Sequence, residues 1–132
     1  MRRAAEGRLA RAAHASEQLI GDHLRALEGR YRAISGTPQL RATLELADEP
    51  TAAYLAEQLR EEQGAAAIEL RGGGASARSG DAELAAIGRA QRAPGLFAHA
   101  GQLYAVATVP LSTGGRRVGD LVAIEPIGEA LL

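Results

Sequence analysis

Phe97, His99, Gln102, Tyr104, Val106 and Thr108 alternate on either side of the dipeptide Ala100-Gly101. If that dipeptide is a two-residue hairpin loop, His99 lies opposite Gln102 and Phe97 opposite Tyr104. The period of two then collects these side chains on one face of a sheet. Leu96, Ala98, Leu103, Ala105, Ala107, Val109 and Leu111 fall on the other. An imidazole, a phenol and a hydroxyl above an apolar floor are what a one-sided pocket for a small molecule requires. The helix expected over Asp81–Gln91, with the loop after it, would lie across the same face and bring Arg89 and Arg92 near. A guanidinium fork beside a phenol and an imidazole suits a small carboxylate. The candidate ligand-binding set is therefore Arg92, His99, Tyr104, Thr108, Phe97 and Arg89. Phe97 with Tyr104 also fits an ordinary cross-strand aromatic pair, and Arg92 a solvated side chain.

Other chemistry-bearing residues lead nowhere. Asp22-His23-Leu24-Arg25 carries a histidine on a helical stripe, but without the acidic neighbour and downstream proline of a phosphoacceptor box. His14 and His23 are too far apart on a helix to share a metal, and no cysteine supplements them. Gly72-Gly73-Gly74 has no following Lys-Ser/Thr, so it is a turn and not a phosphate cradle. Ser79-Gly80-Asp81 is no nucleophile elbow, since no His/Asp pair is placed to activate Ser79. Glu61-Glu62 and Arg116-Arg117 are solvated charges. No metal, cofactor or catalytic role is expected.

Composition narrows the partners. All 15 basic residues are arginine, set against 16 acidic ones, which leaves no footprint for nucleic acid or an anionic membrane. Without cysteine there are no disulfides and no thiolate metal sites. The apolar share of 46% suits one folded domain of 132 residues. No apolar run reaches the roughly 20 residues of a membrane span, and Met1–Glu6 lack the apolar centre of a signal peptide.

The elements that must position the site follow from period and punctuation. Arg2–Ile34 holds no proline and is rich in strong helix formers. Leu9, Ala13, Ser16, Ile20, His23, Leu27, Tyr31 and Ile34 make one stripe along it. Such a helix is ~48 Å long, against a radius of gyration of ~14 Å for a domain of this size. It therefore overhangs its own domain, and its stripe calls for a partner helix: a parallel homodimer or a membrane stalk. Ser35-Gly36 ends it, with Gly36 expected in the left-handed C′ position. Thr37-Pro38 opens a short helix to about Leu46, and Asp48-Glu49-Pro50 opens another to Gln63, closed by Gly64. Strands are expected over Ala66–Arg71 and Ser76–Ser79, a helix over Asp81–Gln91, and a three-stranded meander over Gly95–His99, Gln102–Leu111 and Arg117–Glu125. Pro126 precedes an apolar segment, Ile127–Leu132, expected to begin an outgoing helix in a longer chain.

Three stretches carry a family likeness: Gly64–Gly74 with Ala77-Arg78-Ser79-Gly80, Gln102–Leu111, and Val118–Ile124. Together with the order of elements across nearly the whole chain, they resemble the single Cache sensor domains of bacterial chemoreceptors, histidine kinases and nucleotide cyclases. The resemblance implies an α+β, PAS-like fold, with a five-stranded antiparallel sheet, the long N-terminal helix on one face and a small-ligand pocket on the other. It divides the chain into a stalk and dimerisation helix at 1–36, an α/β sensor core at 37–126 and the start of an outgoing helix at 127–132. It implies a non-catalytic, periplasmic portion of an inner-membrane protein, reaching the membrane only through flanking segments. The ligand expected from the pocket residues is a small organic anion. Related double-Cache receptors recognise amino acids with Trp and paired acidic residues, and this chain has no Trp. Two alternatives stand beside this reading. One is a cytosolic roadblock-type dimerising scaffold, and the other is a ligand-free Cache spacer.

Overall fold

The computed structural model describes residues 2–45, 48–72, 75–90, 95–113 and 115–127. Its elements are α1 (Arg2–Ser35), α2 (Pro38–Glu45), α3 (Glu49–Gln63), β1 (Ala67–Gly72), β2 (Ala75–Gly80), α4 (Ala82–Ala90), β3 (Gly95–His99), β4 (Gln102–Thr113) and β5 (Arg116–Pro126). These match the sequence expectations to within two residues at each end. The expected outgoing helix lies outside the described residues beyond Ile127.

Local chemistry sets the helix ends. Asp48 caps α3, its carboxylate accepting from Thr51 Oγ1 at 2.7 Å, and Gly64 closes the helix at φ 69°. Asp81 caps α4, accepting from the Glu83 and Leu84 amides at 2.9 and 3.1 Å. Gly36 departs from expectation, because it does not take the left-handed conformation. The last turn of α1 instead tightens, with Gly36 N donating to Ala33 O and Thr37 N to Ile34 O. Those i→i+3 bonds satisfy the terminal carbonyls without a left-handed residue.

The strands form one antiparallel sheet in the order β2-β1-β5-β4-β3. The β3–β4 loop is the two-residue turn Ala100-Gly101, with φ of 50° and 77°. It sets Phe97 opposite Tyr104 and His99 opposite Gln102. Ile68 and Leu70 of β1, Ala105, Ala107, Val109 and Leu111 of β4, and Leu121 and Ala123 of β5 share one face. α1, α2 and α3 cover it, contributing Leu27, Tyr31, Leu40, Leu55 and Ala56 to one core. The opposite face carries a smaller core under α4, in which Leu84 and Ala85 pack on Ala67, Val106, Val122 and Ile124. α4 approaches closely because position 88 is glycine: a Cβ there would stand 2.5 Å from Ile124 Cδ1.

Among the described residues the last third of α1 carries the docking, through Leu24, Leu27, Tyr31 and Ile34. Full burial of Leu27 and Tyr31 contributes roughly 2 kcal/mol each. Tyr31 adds a polar tie, because its hydroxyl donates to the Glu125 carboxylate on β5 at 2.5 Å, and Arg30 pairs with the same oxygen. The guanidinium of Arg30 also lies 5.3 Å from the Tyr31 ring centroid. Burial, reinforced by the Glu125 carboxylate, pushes the phenol well above the ordinary value near 10.

Tyr31→Phe should cost about 1–3 kcal/mol in chemical denaturation at neutral pH, because Glu125 stays buried with one donor fewer. A raised folded-state pKa means that the Tyr31 contribution is complete below pH ~10 and lost as the pH rises above it. The parent protein should therefore lose stability above pH ~10 more steeply than the Phe variant. Parallel alkaline limbs for the two proteins would remove Tyr31 from this role.

Candidate functional site

The sheet face turned away from α1 is built of cross-strand rows. Arg78, Glu69, Val122 and Thr108 lie side by side on β2, β1, β5 and β4. One row along, Ser76, Arg71, Asp120 and Pro110 do the same. In the other direction run Tyr104 and Phe97, then Gln102 and His99. Strand spacing puts Thr108 two strands, ~10 Å, from Glu69, and four residues, ~13 Å, from Tyr104.

The residues singled out in the sequence therefore divide into two groups. Phe97 and Tyr104 stack with ring centroids 5.4 Å apart and join the apolar cluster beneath the first half of α4. His99, at the hairpin end, sits with Nε2 3.6 Å from Glu83 on α4, a long and partly exposed approach. The amide of Gln102 donates to the backbone carbonyls of Leu103 and Ile127 at 2.9 and 3.1 Å, tying the hairpin to the exit of β5. Arg89, at the far end of α4, reaches Glu69, in the row of Thr108. Arg92 lies outside the described residues.

The Glu69 row and the row beside it hold most of the charge on this face. Glu69 is only 7% exposed, yet it carries a carboxylate in the middle of a strand. Arg71 Nε donates to its Oε1 at 2.6 Å. Arg89 Nε stands 3.1 Å from Oε2, but its N–H points wide of the oxygen, leaving an ion pair without a hydrogen bond. Arg78 stands directly opposite Glu69 on β2. A recess of about 400 Å³ opens here, lined by Glu69, Ser76, Ala77, Arg78 and Arg89. A second recess of about 250 Å³ lies on the helical side between α1, α2 and α3, lined by Leu40, Leu55 and Gln58 among others. It lacks convergent cations. The first recess has both charge and a rigid sheet floor, so it is the stronger candidate for ligand chemistry.

Glu69, Arg71 and Arg78 were not picked out from the sequence. Their signal was present: Glu69 is the one charge in Ala65–Leu70. The pairing of Gly72 with Ala75 also sets Glu69 opposite Arg78 by simple register. What Arg89 contributes, by contrast, depends on how α4 lies on the sheet.

The two partners of Glu69 should differ energetically. A double-mutant cycle through denaturation should give a Glu69–Arg71 coupling of about 1 kcal/mol. The Glu69–Arg89 coupling should be under half of that, since it lacks a formed hydrogen bond. A stronger Arg89 coupling would contradict this geometry.

By sequence the chain matches no protein-family model and no curated protein. Among solved structures it is similar to the extracellular domain of the histidine kinase vpHK1S-Z8. That match has 12% identity and a TM-score of 0.56, and covers 95% of this chain and 58% of that one. It is also similar to the ligand-binding domain of PctC, an amino-acid chemoreceptor of Pseudomonas aeruginosa PAO1, in a structure with GABA. That match has 18% identity and a TM-score of 0.54, and covers 92% of this chain and 62% of the other. The chain thus spans less than two thirds of either domain. With its long leading helix and five-stranded antiparallel sheet, it has the PAS-like, Cache-type fold of these sensor domains.

Proposed function

We propose that the chain is a non-catalytic, extracytoplasmic ligand-sensing domain of a membrane-bound signalling protein, and that it binds a small organic anion. The observation that carries this reading is the recess on the sheet face opposite α1, where Arg71, Arg78 and Arg89 gather around one buried carboxylate. The fold is shared with an extracellular kinase domain and a chemoreceptor domain, which supports sensing over scaffolding. PctC is solved with a small molecule, which supports a ligand of that size. Among the described residues no helix is long and apolar enough to cross a membrane, so on this reading the membrane is reached through segments flanking this domain.

Signal output on this reading runs through α1 and the exit of β5, which Glu125 ties together. A ligand shifts the balance between two packings of the sheet on α1 by its differential affinity for them. The overhanging part of α1 pairs with its copy in a homodimer. Leu19, 54% exposed on that overhang, is a residue such a seam would cover.

A thermal-shift screen with small organic anions at neutral pH checks the binding clause. At least one should raise Tm by several degrees, since saturation at 100 times Kd contributes about 2.7 kcal/mol. Arg89→Ala should abolish the shift without unfolding the protein. A screen with no response would leave only a ligand-free spacer. For the dimer clause, sedimentation velocity at micromolar concentration should show a dimer that Leu19→Glu converts to monomer. A parent protein that is monomeric throughout removes that clause.

A further inference from the structure

We infer that the recess discriminates by charge and selects a small dianion over a monoanion or a zwitterion. The inference rests on the sensing reading above and concerns what that site prefers.

Arg71, Arg78 and Arg89 face the recess or its rim, and Glu69 is the carboxylate among them. Asp120, the cross-strand neighbour of Arg71, is engaged by Arg117 on its own strand. Three guanidinium groups against one carboxylate leave two positive charges unbalanced. His99 and Glu83 lie at the other end of the face and do not alter this balance.

The orientation of the charges matters as much as their number. Glu69 is nine-tenths buried, so it belongs to the floor, while the side chains of Arg71 and Arg89 stay about two fifths exposed. Arg71 donates its Nε–H to the floor carboxylate, and Arg89 stands with Nε 3.1 Å from it. Their terminal nitrogens make no hydrogen bond among the described residues, and Arg78 has no ion-pair partner among them. Glu69 thus acts as a positioning residue that sets two guanidinium forks at a fixed spacing. Two forks beside a third cation complement two anionic groups, from either a dicarboxylate or a phosphate monoester. An ammonium group would have to compete with Arg71 and Arg89 for Glu69, whose Oε2 has no hydrogen bond but already lies 3.1 Å from Arg89 Nε. Ser76, in the lining, offers a hydroxyl to an uncharged part of the molecule.

Isothermal titration with succinate, butyrate and 4-aminobutyrate isolates charge, since all three share a four-carbon chain. Inorganic phosphate separates the phosphate source from the dicarboxylate one. Succinate or phosphate should bind at least about tenfold more tightly than butyrate. Arg78→Gln and Arg89→Gln should each reduce that ratio several-fold. Arg116→Gln, which removes the same charge from β5 without freeing a carboxylate among the described residues, should leave the ratio unchanged.

Butyrate or 4-aminobutyrate binding as tightly as succinate overturns the inference while leaving the sensing reading intact. An equal loss in Arg116→Gln also overturns it, because a diffuse field and not the cluster would then be responsible. If no probe in this set or the wider anion screen binds, both fall together.

Discussion

The structure depends on one constraint, the strict alternation of β4 and β5, which gives a single sheet two unlike faces. Every second side chain, from Leu103 through Leu111 and again at Leu121 and Ala123, is aliphatic. That surface must leave water, and α1 is the longest apolar stripe in the chain to cover it. The small residues Ala105, Ala107 and Ala123 let helices come close, and Leu27 and Tyr31 fill the space above them. Once that face is closed, the other has, among the described residues, only the nine-residue α4 to cover it. A short helix cannot hide a five-stranded sheet. The part left open is where the arginines collect.

Two buried glutamates mark the two faces. Glu125 on β5 points to α1 and is held by Tyr31 and Arg30, while Glu69 on β1 points to α4 and is held by Arg71 and Arg89. A carboxylate inside a sheet is tolerable only when donors meet it, so each fixes the elements that supply those donors. The first joins the leading helix to the last strand. The second joins the covering helix to the strand hydrogen-bonded to that same β5. Movement at Arg89 therefore has a short mechanical route to Tyr31, across β1 and β5, with no flexible loop between.

Most of the fold was legible because its signals are local. Asp48 and Asp81 before helices, Gly64 after one, and Ala100-Gly101 between alternating strands each report a neighbourhood of four or five residues. The hairpin turn alone was enough to place Phe97 against Tyr104 and so to separate the faces. Gly36 was misjudged for an equally local reason: a helix end can be closed by tightening as well as by a left-handed residue, and composition does not distinguish them.

The candidate site was less legible. Phe97, Tyr104, His99 and Thr108 share a face, as their spacing requires, but a face is ~13 Å long between Tyr104 and Thr108. Whether residues on it meet depends on where α4 lies. Gly88 against Ile124 sets that position, sending Arg89 to Glu69 and laying Leu84 beside Tyr104. The sequence by itself determined the elements, the hairpin register and the division into an aliphatic and a polar face, since period and turn chemistry act over a few residues. Only the tertiary structure decided which charges converge, because the pairing of Glu69 with Arg89 and of Glu125 with Tyr31 joins residues 20 and 94 positions apart. Nothing in local spacing encodes such contacts; the packing of helices on the sheet creates them.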